Sequence, residues 1–320
     1  MSIISAKNIT KKFVKVQPNW PNVLKLKKVE ETAVDEMSLE IEEGEFVGFL
    51  GPNGAGKTTF LKMLSGIMHP TSGEAKVMGF TPWERNFDFL RQMAIVMGQK
   101  NQLWWDLPAI DSFNMLQMVY SIPEEKYKKN LDMMIETLGM QKIINRRLRN
   151  MSLGERMKCE LTASFLHSPK VIFLDEPTIG LDIVSSKAIR NFLKSMNEET
   201  GVTMILTSHY MGDIDYLCKR VVIINKGKKV YDGDLGLLKT KYAPEKQIEI
   251  ILEKGFEKNV FENIPGTKTF DGDKVTIRVS KDKIGEVAND IFLKFDPENI
   301  TITDIDTEEV ISKIFSGQKI

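Results

Sequence analysis

Nine residues constrain this chain more than any other stretch: Gly51-Pro52-Asn53-Gly54-Ala55-Gly56-Lys57-Thr58-Thr59. They fit the pattern G-x-x-x-x-G-K-[ST], in which glycines let backbone N–H groups wrap a phosphate. The flanks agree with that reading. Glu45 to Leu50 reads as a short buried strand leading into the loop. Thr58 to Ile67 reads as a helix leading out, with Phe60, Leu61, Leu64 and Ile67 on one apolar stripe. A phosphate held there meets the positive end of the helix. Lys57 offers a point charge to the terminal phosphates, and the Thr58 hydroxyl offers an oxygen to magnesium. A glycine-rich surface turn would not require strand, loop and helix together.

Bulk properties narrow the class further. With 320 residues the chain can bury a full core, and its length points to two domains. Lys+Arg and Asp+Glu balance at 44 each, so charge gives no reason to expect nucleic acid or an anionic surface as partner. Cys159 and Cys218 make no disulfide framework, which favours a reducing compartment. Met1 to Lys7 lacks the apolar run of a signal peptide. The longest apolar runs, such as Val171 to Leu174 and Val221 to Ile224, fall far short of the roughly 20 residues of a membrane span. The expectation is a soluble cytosolic chain whose membrane partner is a separate subunit.

Along the chain, Ile3 to Ile9 and Ala33 to Ile41 alternate like strands. Val14 to Glu31 between them is lysine-rich, holds Pro18 and Pro21, and reads as an inserted surface loop, either solvated or docking a partner. Ala94 to Met97 is a strand reaching Gln99. From Ser112 to Asn150 the spacing becomes helical, and Ser152-Leu153-Gly154-Glu155 opens a further helix through an S-x-x-E capping box. Val171 to Leu174 is an apolar strand ending in Asp175-Glu176. A helix over Ser185 to Thr200 follows, then a strand over Val202 to Leu206 and Thr207-Ser208-His209. Val221 to Ile224 and Lys228 to Tyr231 make a hairpin. Beyond Lys239 come strands at 248–251, 274–279 and 300–303, with a helix at 284–295 before the last. This tail carries no catalytic motif.

Asp175 and Glu176 would sit at the carboxyl edge of a buried strand, where open α/β sheets bind ligands. The first carboxylate can hold magnesium through water. The second can orient and deprotonate an attacking water, a role whose loss typically costs ~10²–10⁴-fold in rate. The ordered set of the 51–59 loop, Gln99, Ser152 to Arg156, Asp175-Glu176, Gly180-Leu181-Asp182 and His209 closely resembles the ATP-binding subunit of an ABC transporter. The resemblance covers residue 1 to about 235. Pro82-Trp83, Gly98-Gln99-Lys100, Leu103 to Pro108 and Ser152 to Lys158 look like the branch serving viologen and multidrug exporters, and the tail resembles the small C-terminal domain found on many such subunits.

The resemblance implies an α/β P-loop NTPase with a RecA-like core sheet and an inserted helical subdomain at about 104–165, filling residues 1–238. A small α+β domain fills 239–320. It implies ATP and Mg2+ as ligands, with Asn53, Gly54, Ala55, Gly56, Lys57, Thr58 and Thr59 around the phosphates. Thr58, Asp175 and Gln99 fall on the magnesium, and Glu176, His209 and Gln99 on the chemistry. Phe13 matches the aromatic that stacks on adenine, with core packing as the other reading. Asp182 matches a residue crossing between two nucleotide sites. Ser152 and Gly154 match the segment that grips the γ-phosphate bound to the opposite subunit. There the chain departs from the usual Leu-Ser-Gly-Gly-Gln, since Leu153 replaces a glycine and Glu155 adds a negative charge. Trp104 and Trp105 fall where such subunits meet their membrane partner, and core packing explains at least one of them equally well.

The implied partners are a second copy or a homologous ATPase subunit in a head-to-tail dimer, and separate transmembrane permease subunits. The implied location is the cytoplasmic face of the cell membrane. Two further readings stay open from sequence. One is a soluble ATPase of this type acting in translation or cofactor assembly. The other is a regulatory subunit that binds nucleotide without turnover.

Overall fold

The computed structural model describes residues 2–19, 22–98, 100–242, 245–252, 258–261, 264–295, 297, 299–305, 309, 311, 312 and 315. The chain forms two compact units, Met1–Gly233 and Asp234–Ile320.

The first unit opens with β1 (Ser2–Asn19) and β2 (Asn22–Glu42), paired antiparallel from Ser2↔Glu42 out to Asn19↔Asn22. The stretch expected as an irregular loop between Val14 and Glu31 is therefore the outer part of a β-ribbon, with Val14↔Glu30 and Val16↔Lys28 in register. Lysines and prolines hide it from sequence reading because they interrupt the apolar alternation that marks a strand. Proline near a ribbon's end also forfeits little of the ladder.

β3 (Phe46–Leu50) is buried along its whole length and runs through the loop into α1 (Lys57–Leu64). Phe60, Leu61 and Leu64 are buried as expected, but the helix stops at Ser65 and Gly66 turns left-handed (φ 73°). Ile67 therefore lies past the helix end and is exposed rather than on the stripe. β4 (Ser72–Val77) pairs with β1, giving an antiparallel sheet of order β2-β1-β4. After α2 (Phe87–Leu90) and β5 (Met93–Met97) comes the helical block of α3 (Ala109–Tyr120), α4 (Glu124–Leu138) and α5 (Leu153–Phe165). Pro108 and Pro123 stand at the N-caps of α3 and α4, and Gly139 at φ 63° ends α4.

The chain then returns to alternating elements: β6 (Val171–Asp175), α6 (Ile183–Thr200), β7 (Thr203–Thr207), α7 (Met211–Leu217), β8 (Arg220–Asn225) and β9 (Lys228–Asp234). The second sheet has the order β5-β6-β7-β3-β8-β9, and β5 through β8 are all parallel. β3, β6 and β7 read as near-continuous apolar runs because helices cover both faces of such a sheet. Phe60 and Leu61 of α1 share one core with Ile4, Val34 and Phe49, which joins the two sheets.

This strand order sets the function. It places the carboxyl ends of β6, β7 and β3 side by side, so the loops after Leu50, Asp175 and Thr207 leave from one edge.

The second unit comprises α8 (Leu235–Tyr242), β10 (Glu245–Ile251), β11 (Thr267–Asp271), β12 (Lys274–Ser280), α9 (Ile284–Phe295) and β13 (Asn299–Asp304). Its antiparallel sheet has the order β11-β12-β10-β13. Ile248, Ile250, Val275 and Ile277 pack with Val287 and Ile291 of α9. β11 escapes a sequence reading because Thr267-Lys268-Thr269-Phe270-Asp271 carries a single apolar residue. Among the described residues no helix is long and apolar enough to cross a membrane.

Candidate functional site

The glycine loop is shaped by its neighbours as much as by its own sequence. Gly56 sits at φ 107°, and a Cβ there would run into the Ala33 carbonyl oxygen of β2. Only glycine fits both demands. Asp35 N–H donates to Gly227 O and Gly227 N–H to Ala55 O, each at 2.9 Å, so β2 and the β8–β9 turn brace the loop. Asn53 and Gly54 stand exposed at its tip, Ala55 and Gly56 are buried, and Thr59 is half-buried on α1.

Lys57 is buried, and its ammonium donates to Gly51 O at 2.6 Å and Pro52 O at 3.2 Å. Burial lowers its pKa, while the charges of Glu176 and Asp175 push it back up. The ammonium is held between two carbonyls beside the place where phosphate would bind, and the two carboxylates offset part of the cost of burying its charge.

Asp175 is the junction of the site. Its Oδ1 accepts the Thr58 hydroxyl at 2.8 Å and the Thr207 hydroxyl at 2.6 Å. The ends of β6 and β7 and the start of α1 thus meet on one oxygen. Glu176 follows at φ 54°, a left-handed backbone that a glutamate adopts at a cost of order 1–3 kcal/mol. Its Oε1 lies 3.1 Å from Nδ1 of His209. Gly98 reaches this point from β5: its N–H donates to Asp175 O at 2.9 Å, and a Cβ on it would collide with the Glu176 carbonyl. Gln99 itself lies outside the described residues.

Behind these loops is a network that sequence reading missed. Asp213 on α7 is fully buried. Its Oδ2 accepts the Thr178 hydroxyl and, at 3.2 Å, the Ser208 hydroxyl, while Arg190 Nη1 of α6 lies 3.5 Å from Oδ1. One carboxylate therefore ties the loop after Glu176 to the residue before His209. The signal was present in the sequence, as an acidic residue on the same helix face as Met211, Ile214 and Leu217, all of which are buried. Thr207 likewise stands two residues before His209, but its partner on β6 is visible only from the pairing Asp175↔Thr207.

Ser152, Gly154 and Asp182 form a second group. Ser152 caps α5, and the reciprocal capping box with Glu155 is present. A Cβ on Gly154 would lie 2.7 Å from Ser185 Cβ, so the start of α5 packs directly on the start of α6. Asp182 caps α6, accepting the Ser185 N–H at 2.8 Å and hydroxyl at 2.6 Å, which holds its pKa below the usual carboxylate range. No hydrogen bond or ion pair among the described residues links this group to Lys57, Thr58, Asp175, Glu176 or His209. A cavity of about 350 Å³ adjoins Glu176 and His209, lined also by Gly180, Ile183, Arg190 and Tyr210 among others. Ile183 of that lining is 84 % exposed, and the next residue, Val184, 79 %.

Phe13 is on the ribbon, opposite Glu31 and two residues past the Lys11↔Val34 pair that flanks the loop. It is partly exposed, with the Lys11 ammonium 5.5 Å from its ring, and so is not a core residue. Trp104 and Trp105 are 42 % and 41 % exposed, and the Arg156 guanidinium lies 4.9 Å from the Trp105 ring.

A parallel sheet with a lysine-bearing glycine loop after β3 and paired carboxylates after β6 defines a P-loop NTPase, here with an inserted helical block. Residues 34–179 match the family model described as ABC transporter. The ABC transporter ATP-binding protein NatA of Bacillus subtilis is 34 % identical over 203 residues, which are 63 % of this chain and 82 % of NatA. The probable multidrug ABC transporter ATP-binding protein YbhF of Escherichia coli is 31 % identical over 255 residues, 80 % of this chain but 41 % of YbhF. In fold, the chain resembles the dimeric ATP-binding cassette MJ0796 in its post-hydrolysis state with ADP and phosphate. The TM-score is 0.62 at 24 % identity, over 72 % of this chain and 98 % of that one. The chain belongs to the ABC transporter ATP-binding family: it is an ABC-type ATPase that binds ATP.

Proposed function

We propose that the chain is the motor subunit of an exporter, closing head-to-tail with a second copy or a homologue over two ATPs to drive separate membrane subunits. The observation that carries this reading is the Asp175 oxygen shared by Thr58 and Thr207, with Glu176 and His209 in contact beside it. Loop, acid and base are on one edge of one sheet. In this reading the backbone N–H groups of 53–59 and the Lys57 ammonium hold the phosphates, and Phe13 stacks on adenine. Glu176 orients and deprotonates the attacking water, and His209 steadies Glu176 and contacts the γ-phosphate. Ser152 and Gly154 grip the γ-phosphate of the opposite subunit from the positive end of α5, and Asp182 crosses between the two sites. ATP acts as glue, and cleavage of the γ-phosphate lets the pair reopen.

Magnesium fits the residues present. Thr58 and Asp175 offer hard oxygen donors of the kind magnesium takes together with substrate phosphates. Among the described residues no cluster of His, Cys, Asp and Glu could hold a metal alone. Thr58, Asp175 and, by resemblance, Gln99 are the residues that would hold it. Bound there, it supplies charge neutralisation at the β- and γ-phosphates.

The exposed Trp104–Trp105 surface and the multidrug name of YbhF support the exporter reading, with motion passing through Gln99 to a membrane partner at the cytoplasmic face. The test is to express the chain with its neighbouring membrane-protein genes and pull down on this subunit in detergent, following phosphate release. Membrane subunits retained with turnover that dies in Glu176→Gln support the transport motor. Turnover with no membrane partner moves the reading to a soluble ATPase.

A further inference from the structure

We propose that Arg146 is a positioning residue that keeps the start of α5 attractive to phosphate by neutralising Glu155. This rests on the head-to-tail reading, in which Ser152 meets a nucleotide held by the other subunit.

Glu155 plays two opposed parts. Its Oε2 accepts the Ser152 N–H at 2.8 Å while Ser152 Oγ accepts the Glu155 N–H at 3.2 Å, so the carboxylate builds the turn that presents Ser152. The same carboxylate puts a negative charge at a helix end whose dipole would otherwise draw an anion. Arg146 offsets that charge. Its Nη1 lies 2.8 Å from Glu155 Oε1, and its Nη2 donates to the Asn150 carbonyl just ahead of the cap. The arginine is itself anchored, its N–H donating to Ile143 O at 2.8 Å and its carbonyl accepting from Ala109 N at 3.3 Å. Burial raises the Glu155 pKa, but the Ser152 N–H and Arg146 outweigh it and hold the group ionised. A glutamine at 155 could make the cap bond through its amide oxygen and bring no charge. Arg146 is therefore needed because residue 155 is a glutamate.

The test is ATP-dependent dimerisation of the Glu176→Gln chain by sedimentation, carrying Arg146→Ala, Glu155→Gln, both or neither. With Glu155 present, Arg146→Ala raises the ATP concentration for half-maximal dimer about tenfold, and with glutamine at 155 it does so less than about twofold. Arg146→Lys, which keeps the charge, stays within about threefold of the parent. The tenfold effect shrinks in 0.5 M NaCl, as a charge effect must and a folding effect need not. Binding of a fluorescent ATP analogue to the monomer stays level across the set, because the 51–59 loop is untouched. Equal losses in both backgrounds, or none in either, overturn the proposal. A parent that dimerises at no ATP concentration overturns the head-to-tail reading itself, and the proposal falls with it.

Discussion

Asp213→Ala removes the acceptor that holds together the loops of Glu176 and His209. The structure sets the magnitude. The variant leaves the Arg190 guanidinium, 17 % exposed, without its carboxylate, takes the acceptor of the Thr178 hydroxyl, and leaves the Ser208 hydroxyl only the Tyr210 carbonyl. Breaking a buried ion pair from one side costs about 3–5 kcal/mol. The 3.5 Å separation and the partial exposure of Arg190 place this one near the lower end, at about 3 kcal/mol. Thr178→Val removes one hydroxyl-to-carboxylate bond and costs about 1.5 kcal/mol, and Ser208→Ala costs at least about as much because it also removes the acceptor of the Tyr210 N–H. All four tryptophans, at positions 20, 83, 104 and 105, lie in the first unit, so their fluorescence in urea reports its unfolding. With m near 3 kcal/mol per molar for a unit of this size, Asp213→Ala lowers the midpoint by about 1 M. Phosphate release measured well below the midpoint falls as well, because Thr178 is two residues from Glu176 and Ser208 adjoins His209. A midpoint shift under about 0.3 M, with normal turnover, would refute the reasoning.

Three further outcomes are expected. His167 stacks on Tyr120 at 4.0 Å with Nδ1 buried and unpartnered, and burial pulls its pKa down to about 4. Below pH 6.5 the unfolded chain takes up a proton that the folded chain refuses. Stability is therefore full above pH 6.5 and falls as pH drops towards 4, by about 2 kcal/mol at pH 5. His167→Phe keeps the stack and lessens that loss in urea titrations at pH 7 and 5; equal losses contradict the account. Gly56→Ala must bear a left-handed φ and a clash with Ala33 O, so fluorescent-ATP binding weakens at least about tenfold. Affinity within threefold of wild type contradicts it. Thr207→Val takes one of two hydroxyls from Asp175 and lowers kcat about tenfold, which Thr207→Ser restores. An unchanged kcat sets Thr207 aside.

The site was legible where chemistry needs residues in local order. The 51–59 loop, Asp175-Glu176 and His209 each follow a buried apolar run, and the parallel register brings those run ends together. The Ser152–Glu155 box was equally readable because capping is a local interaction. What sequence could not show lies in pairings across the fold. Asp213 matters through Thr178 and Arg190, and Arg146 through Glu155, partners that no spacing rule connects. The ribbon at 14–31 was misread because its lysines and prolines outweighed the short alternations Val14-Lys15-Val16 and Leu24-Lys25-Leu26. Ile67 fell off its stripe because Gly66 ends the helix one turn early.

The most direct test of the central claim is steady-state phosphate release by the purified chain, wild type beside Glu176→Gln, with sedimentation of both in ATP. The account predicts turnover that falls at least about 100-fold in the variant, unchanged ATP affinity, and a dimer that forms in ATP and persists. A variant hydrolysing at the wild-type rate would contradict the assignment of Glu176 as base. A variant that stays monomeric at saturating ATP would contradict closure over two nucleotides.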